Sequence, residues 1–139
     1  MFTSPIGVLV VEDDPDVGEL VAYLLRRDPG LAVSLVVDGQ EALAAAGASP
    51  PAVVVLDLSL PKVDGYEVAR RLREDPATAP CWIIGLSGSG HADAALAAGC
   101  DQFLWKPAGI EEVEVAVRAG LLRAAERAGP ARPPVDRGQ

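Results

Sequence analysis

Four separate points in the sequence carry side chains that could act together on an anion. Glu12-Asp13-Asp14 closes one apolar run, Asp57 closes a second, Ser87 a third and Lys106 a fourth. Acids held side by side at ~4 Å repel by roughly 4 kcal/mol at an effective dielectric near ~20. Protonating one acid relieves that repulsion, and a hard divalent cation relieves it better. Carboxylates, a backbone carbonyl and waters suit Mg²⁺, which often also contacts a phosphate. The chain has two lysines, Lys62 and Lys106, and Lys106 directly follows an apolar run, where an ammonium can pair with an anion. The set points to phosphoryl transfer onto a carboxylate. Asp57 attacks phosphorus in line, Mg²⁺ and Lys106 neutralise equatorial oxygens, and Ser87 donates a hydrogen bond.

That chemistry requires elements that bring the four points to one place. Ile6–Val11 is a Val-rich run without alternation, as expected for a strand covered on both faces. Asp14-Pro15 supplies an N-cap and a proline at the first helical position. Val17, Leu20, Val21, Leu24 and Leu25 then give a helical apolar stripe, and Asp28-Pro29-Gly30 ends it. The pattern repeats. Strands are expected at Leu31–Val37, Val53–Leu56, Trp82–Leu86 and Gln102–Trp105. Helices are expected at Gly39–Ala46, Tyr66–Arg73, His91–Ala98 and Ile110–Arg127, the last with Ile110, Val113, Val117 and Leu121 inward. Five strand–helix units imply an α/β domain, a parallel sheet with helices on both faces and right-handed crossovers. Such sheets bind ligands at the carboxyl ends of their strands. Every candidate residue lies at such an end.

Composition sets the outer limits. The 139 residues suffice for one domain, with 50% hydrophobic and 23% charged residues, a folding composition. The net charge of −8 disfavours nucleic acid and anionic membranes as direct partners. No stretch approaches the ~20 apolar residues of a membrane span, and the first residues lack the basic region of a secretory signal. Two cysteines, Cys81 and Cys100, read as reduced thiols of a cytoplasmic protein. Residues 129–139, rich in proline, read as a disordered tail after a domain spanning 1–128.

The segments VLVVEDDPDV (8–17), VVVLDLSLPKVDGYEVARRLRED (53–75), IIGLSGS (83–89) and AGCDQFLWKP (98–107) together resemble the receiver domain of two-component response regulators. The ordered set on alternating strands, over about residues 6–124, carries the resemblance. It implies a flavodoxin-like, doubly wound five-stranded sheet in order 2-1-3-4-5. It also implies that Asp57 accepts phosphate from a histidine kinase or histidine phosphotransfer protein, and that Glu12, Asp13, Asp57 and the Ser59 carbonyl hold Mg²⁺. Ser87 and Lys106 would grip the phosphoryl group, with a cis bond between Lys106 and Pro107. Phe103 matches an aromatic switch position that turns inward when Ser87 moves toward phosphate.

Several residues depart from that pattern. Phe103 stands for the frequent tyrosine, Gly88 for alanine and Ala108 for phenylalanine, and Trp105 is unusually large beside Lys106. The interval from Ser87 to Lys106 is about one helical turn short, which falls on the fourth helix, and it holds no Lys or Arg before 106. The resulting expectation is a stand-alone signalling receiver, a phosphoprotein and not a classical enzyme, monomeric or weakly dimeric. Its output would pass through an unknown downstream protein rather than DNA or a membrane. Two rivals remain. One is a phosphorylation-independent binding module on the same fold. The other is an aspartate-nucleophile phosphatase, for which Ser59 is a poor substitute for the second acid expected two residues after the nucleophile.

Overall fold

The computed structural model describes residues 4–60, 62–89 and 91–128; the expected tail over 129–139 lies outside them. Strands and helices alternate as β1 (Ile6–Val11), α1 (Pro15–Arg26), β2 (Leu31–Val36), α2 (Gly39–Ala48), β3 (Val53–Asp57), α3 (Gly65–Glu74), β4 (Trp82–Ser87), α4 (Ala92–Ala98), β5 (Gln102–Trp105) and α5 (Ile110–Ala128). The strands form one sheet in the order β2-β1-β3-β4-β5, with every neighbouring pair parallel. This is the expected flavodoxin-like architecture.

Alternation along each strand divides the core in two. On one face Leu9, Val11, Val54, Leu56 and Ile83 pack with Ala42, Ala46, Val68, Ala69, Leu72, Ala95 and Ala98 of α2, α3 and α4. On the other, Val8, Val10, Val53, Val55, Ile84 and Leu86 pack with Val21, Leu25, Val113, Ala116 and Val117 of α1 and α5. Burying one such Val or Leu side chain fully is worth about 1.5–3 kcal/mol. The central strand β3 is buried at every residue, which explains its unbroken apolar run.

Side-chain caps fix where the helices begin. Asp14 accepts from the Asp16 and Val17 amides, Asp38 from Glu41 and Asp64 from Glu67, each cap worth about 1 kcal/mol. Gly65 opens α3 because its neighbours leave no room for a side chain. A Cβ there would lie 2.4 Å from Leu58 Cα and 2.5 Å from the Asp57 carbonyl oxygen. The first turn of α3 therefore rests directly on the backbone that follows β3.

The structure corrects several details. In α1 the buried face is Gly18, Val21, Ala22 and Leu25; Val17 and Leu20 are exposed and Leu24 only half-buried. The small residues Gly18 and Ala22 let α1 approach the sheet, since a Cβ on Gly18 would stand 2.9 Å from Leu35 Cδ1. Helix α2 runs through Gly47 to Ala48, because that glycine faces open space and costs only its helix propensity. Strand β2 stops at Val36, one residue early, since Asp38 is already capping α2. Helix α4 begins at Ala92, with exposed His91 as an N-cap that makes no side-chain bond. At seven residues it is the shortest helix among the described residues.

Candidate functional site

Parallel strands direct all their carboxyl ends to one edge, and register decides which residues meet there. Val11 pairs with Leu56 across β1 and β3, so Glu12 and Asp57, one residue further on each, are neighbours. Asp57 pairs with Leu86 across β3 and β4, and Ser87 with Trp105 across β4 and β5. The Lys106 amide continues that last ladder by donating to the Ser87 carbonyl at 2.9 Å. Lys106 thus leaves β5 level with the acids, and its side chain reaches back across β4.

The result is a compact ionic cluster. Lys106 Nζ donates to Asp57 Oδ2 at 3.0 Å and to Glu12 Oε1 at 3.2 Å. Asp57 Oδ1 accepts the Ser59 amide at 2.9 Å, and Glu12 Oε2 accepts the Asp14 amide at 3.3 Å. One carboxylate oxygen from each of Glu12, Asp13 and Asp57 lies within 4.8 Å of the others. Asp57 and Glu12 are 1% and 3% exposed, whereas Asp13 faces solvent. Beside the cluster, a depression of about 430 Å³ is lined by Asp14, Val17, Lys106, Pro107 and Ala108. The Lys106-Pro107 bond is cis.

The carboxyls divide their protons unequally. Burial, then the hydrogen bond and charge of Asp57, push the Glu12 carboxyl up to about 7. Burial alone would also raise Asp57. The hydrogen bonds of Glu12, the Ser59 amide and Lys106 outweigh it and hold the Asp57 carboxyl below its ordinary range. Burial would lower the Lys106 ammonium, but Asp57 and Glu12 outweigh it and hold its pKa above the ordinary lysine value. Asp57 is therefore the ionised, lysine-paired acid, and Glu12 holds the proton most readily given up to a cation.

Three acids around one lysine leave negative charge in excess, on oxygen donors only. That chemistry fits a hard divalent cation of the Mg²⁺ type, which prefers carboxylates and retained waters.

The remaining candidates sit differently. Ser59 is exposed and contributes its amide to Asp57. Ser87 is buried at the end of β4, but its hydroxyl donates to the Ser89 carbonyl at 3.0 Å and not to an acid. Phe103 is half-buried on the core that holds Leu58 and Cys100 and meets the Trp105 ring. Lys62, the other lysine, pairs with Asp38 at 3.3 Å. The Asp-x-x-Glu spacing of Asp38 and Glu41 was a legible capping signal; the tie from Lys62 to that cap was not.

Sequence reasoning missed a second network, at the opposite end of the sheet. Arg73 of α3 donates to Asp101 Oδ2 at 2.6 Å and to the carbonyls of Gly99, Ala79 and Cys81 at 2.9, 2.5 and 2.6 Å. Asp101 also accepts the Ile83 amide at 2.8 Å and pairs with Arg127, whose guanidinium lies 4.7 Å from the Trp82 ring centroid. Cys81 and Cys100 are free and buried, and burial pushes both thiols up to about 11.

The protein is thus a doubly wound α/β domain with three acids and a lysine converging at the carboxyl edge of its parallel sheet. Residues 8–118 match the response regulator receiver domain family, and the chain belongs to that family. Members are signalling proteins. The DNA-binding dual master transcriptional regulator RpaA of Synechocystis is 38% identical over 123 residues, covering 86% of this chain and 50% of that protein. The transcriptional regulatory protein TrcR of Mycobacterium tuberculosis is 40% identical over 121 residues, covering 86% and 46%. The chain thus spans about half the length of these curated relatives. Among solved structures, the Francisella response regulator 1452 receiver domain superposes with a TM-score of 0.78 at 26% identity, covering 86% of this chain and 99% of that one. The chemotaxis response regulator CheY4 of Vibrio cholerae gives 0.77 at 26% identity, covering 85% and 100%. Among the described residues, no helix is long and apolar enough to cross a membrane.

Proposed function

We propose that Asp57 is the phosphoacceptor of this receiver domain and that its phosphorylation switches the binding of another protein. The observation that carries this reading is the cluster itself: a buried carboxylate at the end of the central strand, 3.0 Å from a lysine ammonium, with Glu12 and Asp13 alongside. The donor is a histidine kinase or histidine phosphotransfer protein. An Asp57 oxygen forms an O–P bond as the donor's N–P bond breaks, and the leaving imidazole keeps the electron pair. The Ser59 amide orients the carboxylate, and the Lys106 ammonium holds its charge beside the transferring group. Glu12, Asp13, Asp57 and the Ser59 carbonyl would hold Mg²⁺, which supplies charge neutralisation at the phosphoryl oxygens. Ser87, turned from Ser89, would donate to the phosphoryl group, and Phe103 would report the change at the surface.

The net charge of −8 argues against this chain gripping nucleic acid directly, although RpaA, half of which the match covers, is a DNA-binding regulator. A protein partner, a cytoplasmic setting and a monomer or weak homodimer complete the reading.

Incubation with Mg²⁺ and acetyl phosphate tests it. The reading expects a single base-labile phosphoryl adduct that disappears in Asp57→Asn. Sustained turnover of a generic phosphomonoester would favour a phosphatase instead. Partner binding indifferent to phosphate would favour a constitutive binding module.

A further inference from the structure

Phe103 and Trp105 share one face of the sheet, since successive side chains of a strand alternate. Phe103 packs on the core under α2, α3 and α4, while Leu104 packs on the opposite core. The two rings meet edge to face, centroids 5.0 Å apart and planes at 88°, an arrangement favoured by the aromatic quadrupole. Register sets Phe103 beside Gly85 and Trp105 beside Ser87. On this face, then, Gly85 and Ser87 of β4 lie against Phe103 and Trp105 of β5. Gly85 offers Phe103 no side chain from β4, so Trp105 is its aromatic support. Trp105 is itself 57% exposed, and core burial does not account for it. Ser87 beside it is buried, with its hydroxyl committed to the Ser89 carbonyl and accepting the Ser89 amide at 3.3 Å.

We infer that Trp105 is a positioning residue: its edge contact keeps the Phe103 ring half-buried and, through the shared face, keeps Ser87 turned toward Ser89. Removing the indole gives Phe103 a second ring position and loosens the Ser87–Ser89 turn, which frees the hydroxyl to donate toward Asp57. That last step rests on the acceptor reading above and names a regulator of that site: whatever displaces the indole, including a protein covering it, biases Ser87 toward the acceptor.

The test compares the full chain with Trp105→Leu and Trp105→Phe. Without any phosphodonor, hydrogen exchange of the Ser89 amide is expected to rise about 2- to 10-fold in Trp105→Leu, the population shift available to one aromatic contact. Trp105→Phe restores protection, and the unfolding midpoint stays unchanged. Ser89 exchange that is equal in all three chains overturns the inference. Beryllofluoride with Mg²⁺ then probes the coupling. Binding about 2- to 10-fold tighter in Trp105→Leu supports it, and unchanged affinity overturns it. If the unsubstituted chain binds no beryllofluoride, the acceptor reading fails by itself, and Ser89 exchange still decides the role of Trp105.

Discussion

Lys106 Nζ stands 3.0 Å from Asp57 Oδ2 although β4 separates their strands in the sheet. The lysine spans that gap because its amide continues the β4–β5 ladder at Ser87, which sets its backbone level with the acids. It touches Glu12 as well, so this one lysine ties together the ends of β1, β3 and β5. Removing it leaves two buried carboxylates facing each other. Lys106→Met is expected to lower apo stability by about 1–3 kcal/mol at neutral pH. Mg²⁺ should recover part of the loss. Urea unfolding with and without Mg²⁺ measures both, and an unchanged midpoint without Mg²⁺ would contradict the arrangement.

Glu12 makes that stability depend on pH. Its carboxyl is pushed from 4.5 up to about 7 in the folded chain. Between those values the folded state holds a proton that the unfolded state has released. Apo stability from this group is therefore full below 4.5 and is lost as pH rises through about 7. Asp57 has the opposite sign, but its depressed carboxyl titrates below the ordinary value of 3.8, outside this window. Mg²⁺ binding needs the Glu12 proton removed. The rise in thermal midpoint on adding Mg²⁺ should thus be small near pH ~5.5 and larger near pH ~8, with affinity changing up to about tenfold per pH unit below the Glu12 pKa. Equal shifts at both pH values would count against Glu12 as a ligand.

Gly65 supports the backbone of Asp57 and Leu58 from behind. A Cβ at this position would collide with the Leu58 Cα and the Asp57 carbonyl, backbone that cannot swing aside as a side chain does. Gly65→Ala should therefore destabilise by about 1–3 kcal/mol, even though alanine is the better helix former by ~1 kcal/mol. Thermal unfolding checks the sign. A stabilised variant would show that α3 does not rest on the Asp57–Leu58 backbone.

The network around Asp101 should act on stability and not on chemistry. Arg73 has a side chain 22% exposed and serves Asp101 and three carbonyls, so Arg73→Ala is expected to cost about 2–4 kcal/mol. Arg127, 36% exposed, lies at the rim, and Arg127→Ala should cost about 1 kcal/mol through its ion pair and the Trp82 contact. Denaturant titration of both variants gives the order, and the reverse order would refute it.

What the sequence discloses follows from the range of each interaction. Val-rich runs, the Asp14 cap and Gly or Pro stops act within a few residues, and they locate the ten strands and helices of the described residues. The ionic cluster was legible because parallel strands send every carboxyl end to one edge, so Glu12, Asp57 and Lys106 needed no further information to meet. The α1 face departs from its apolar stripe because small residues fill it. Gly18 and Ala22 face the sheet, and Val17 and Leu20 are left exposed. Arg73 and Asp101 lie 28 residues apart with no motif joining them, and only the folded chain pairs them. The direction of the Ser87 hydroxyl is a rotamer choice made by the Ser89 turn, which strand patterning does not encode.

Location of the phosphoryl group tests the central claim most directly. After incubation with Mg²⁺ and acetyl phosphate, borohydride reduction of the adduct and peptide mapping should place the modification on Asp57 alone, with none in Asp57→Asn and little in Lys106→Met. A modification mapped to Asp13, Asp14 or any other residue, or a chain that stays unlabelled while correctly folded and Mg²⁺-bound, would contradict it.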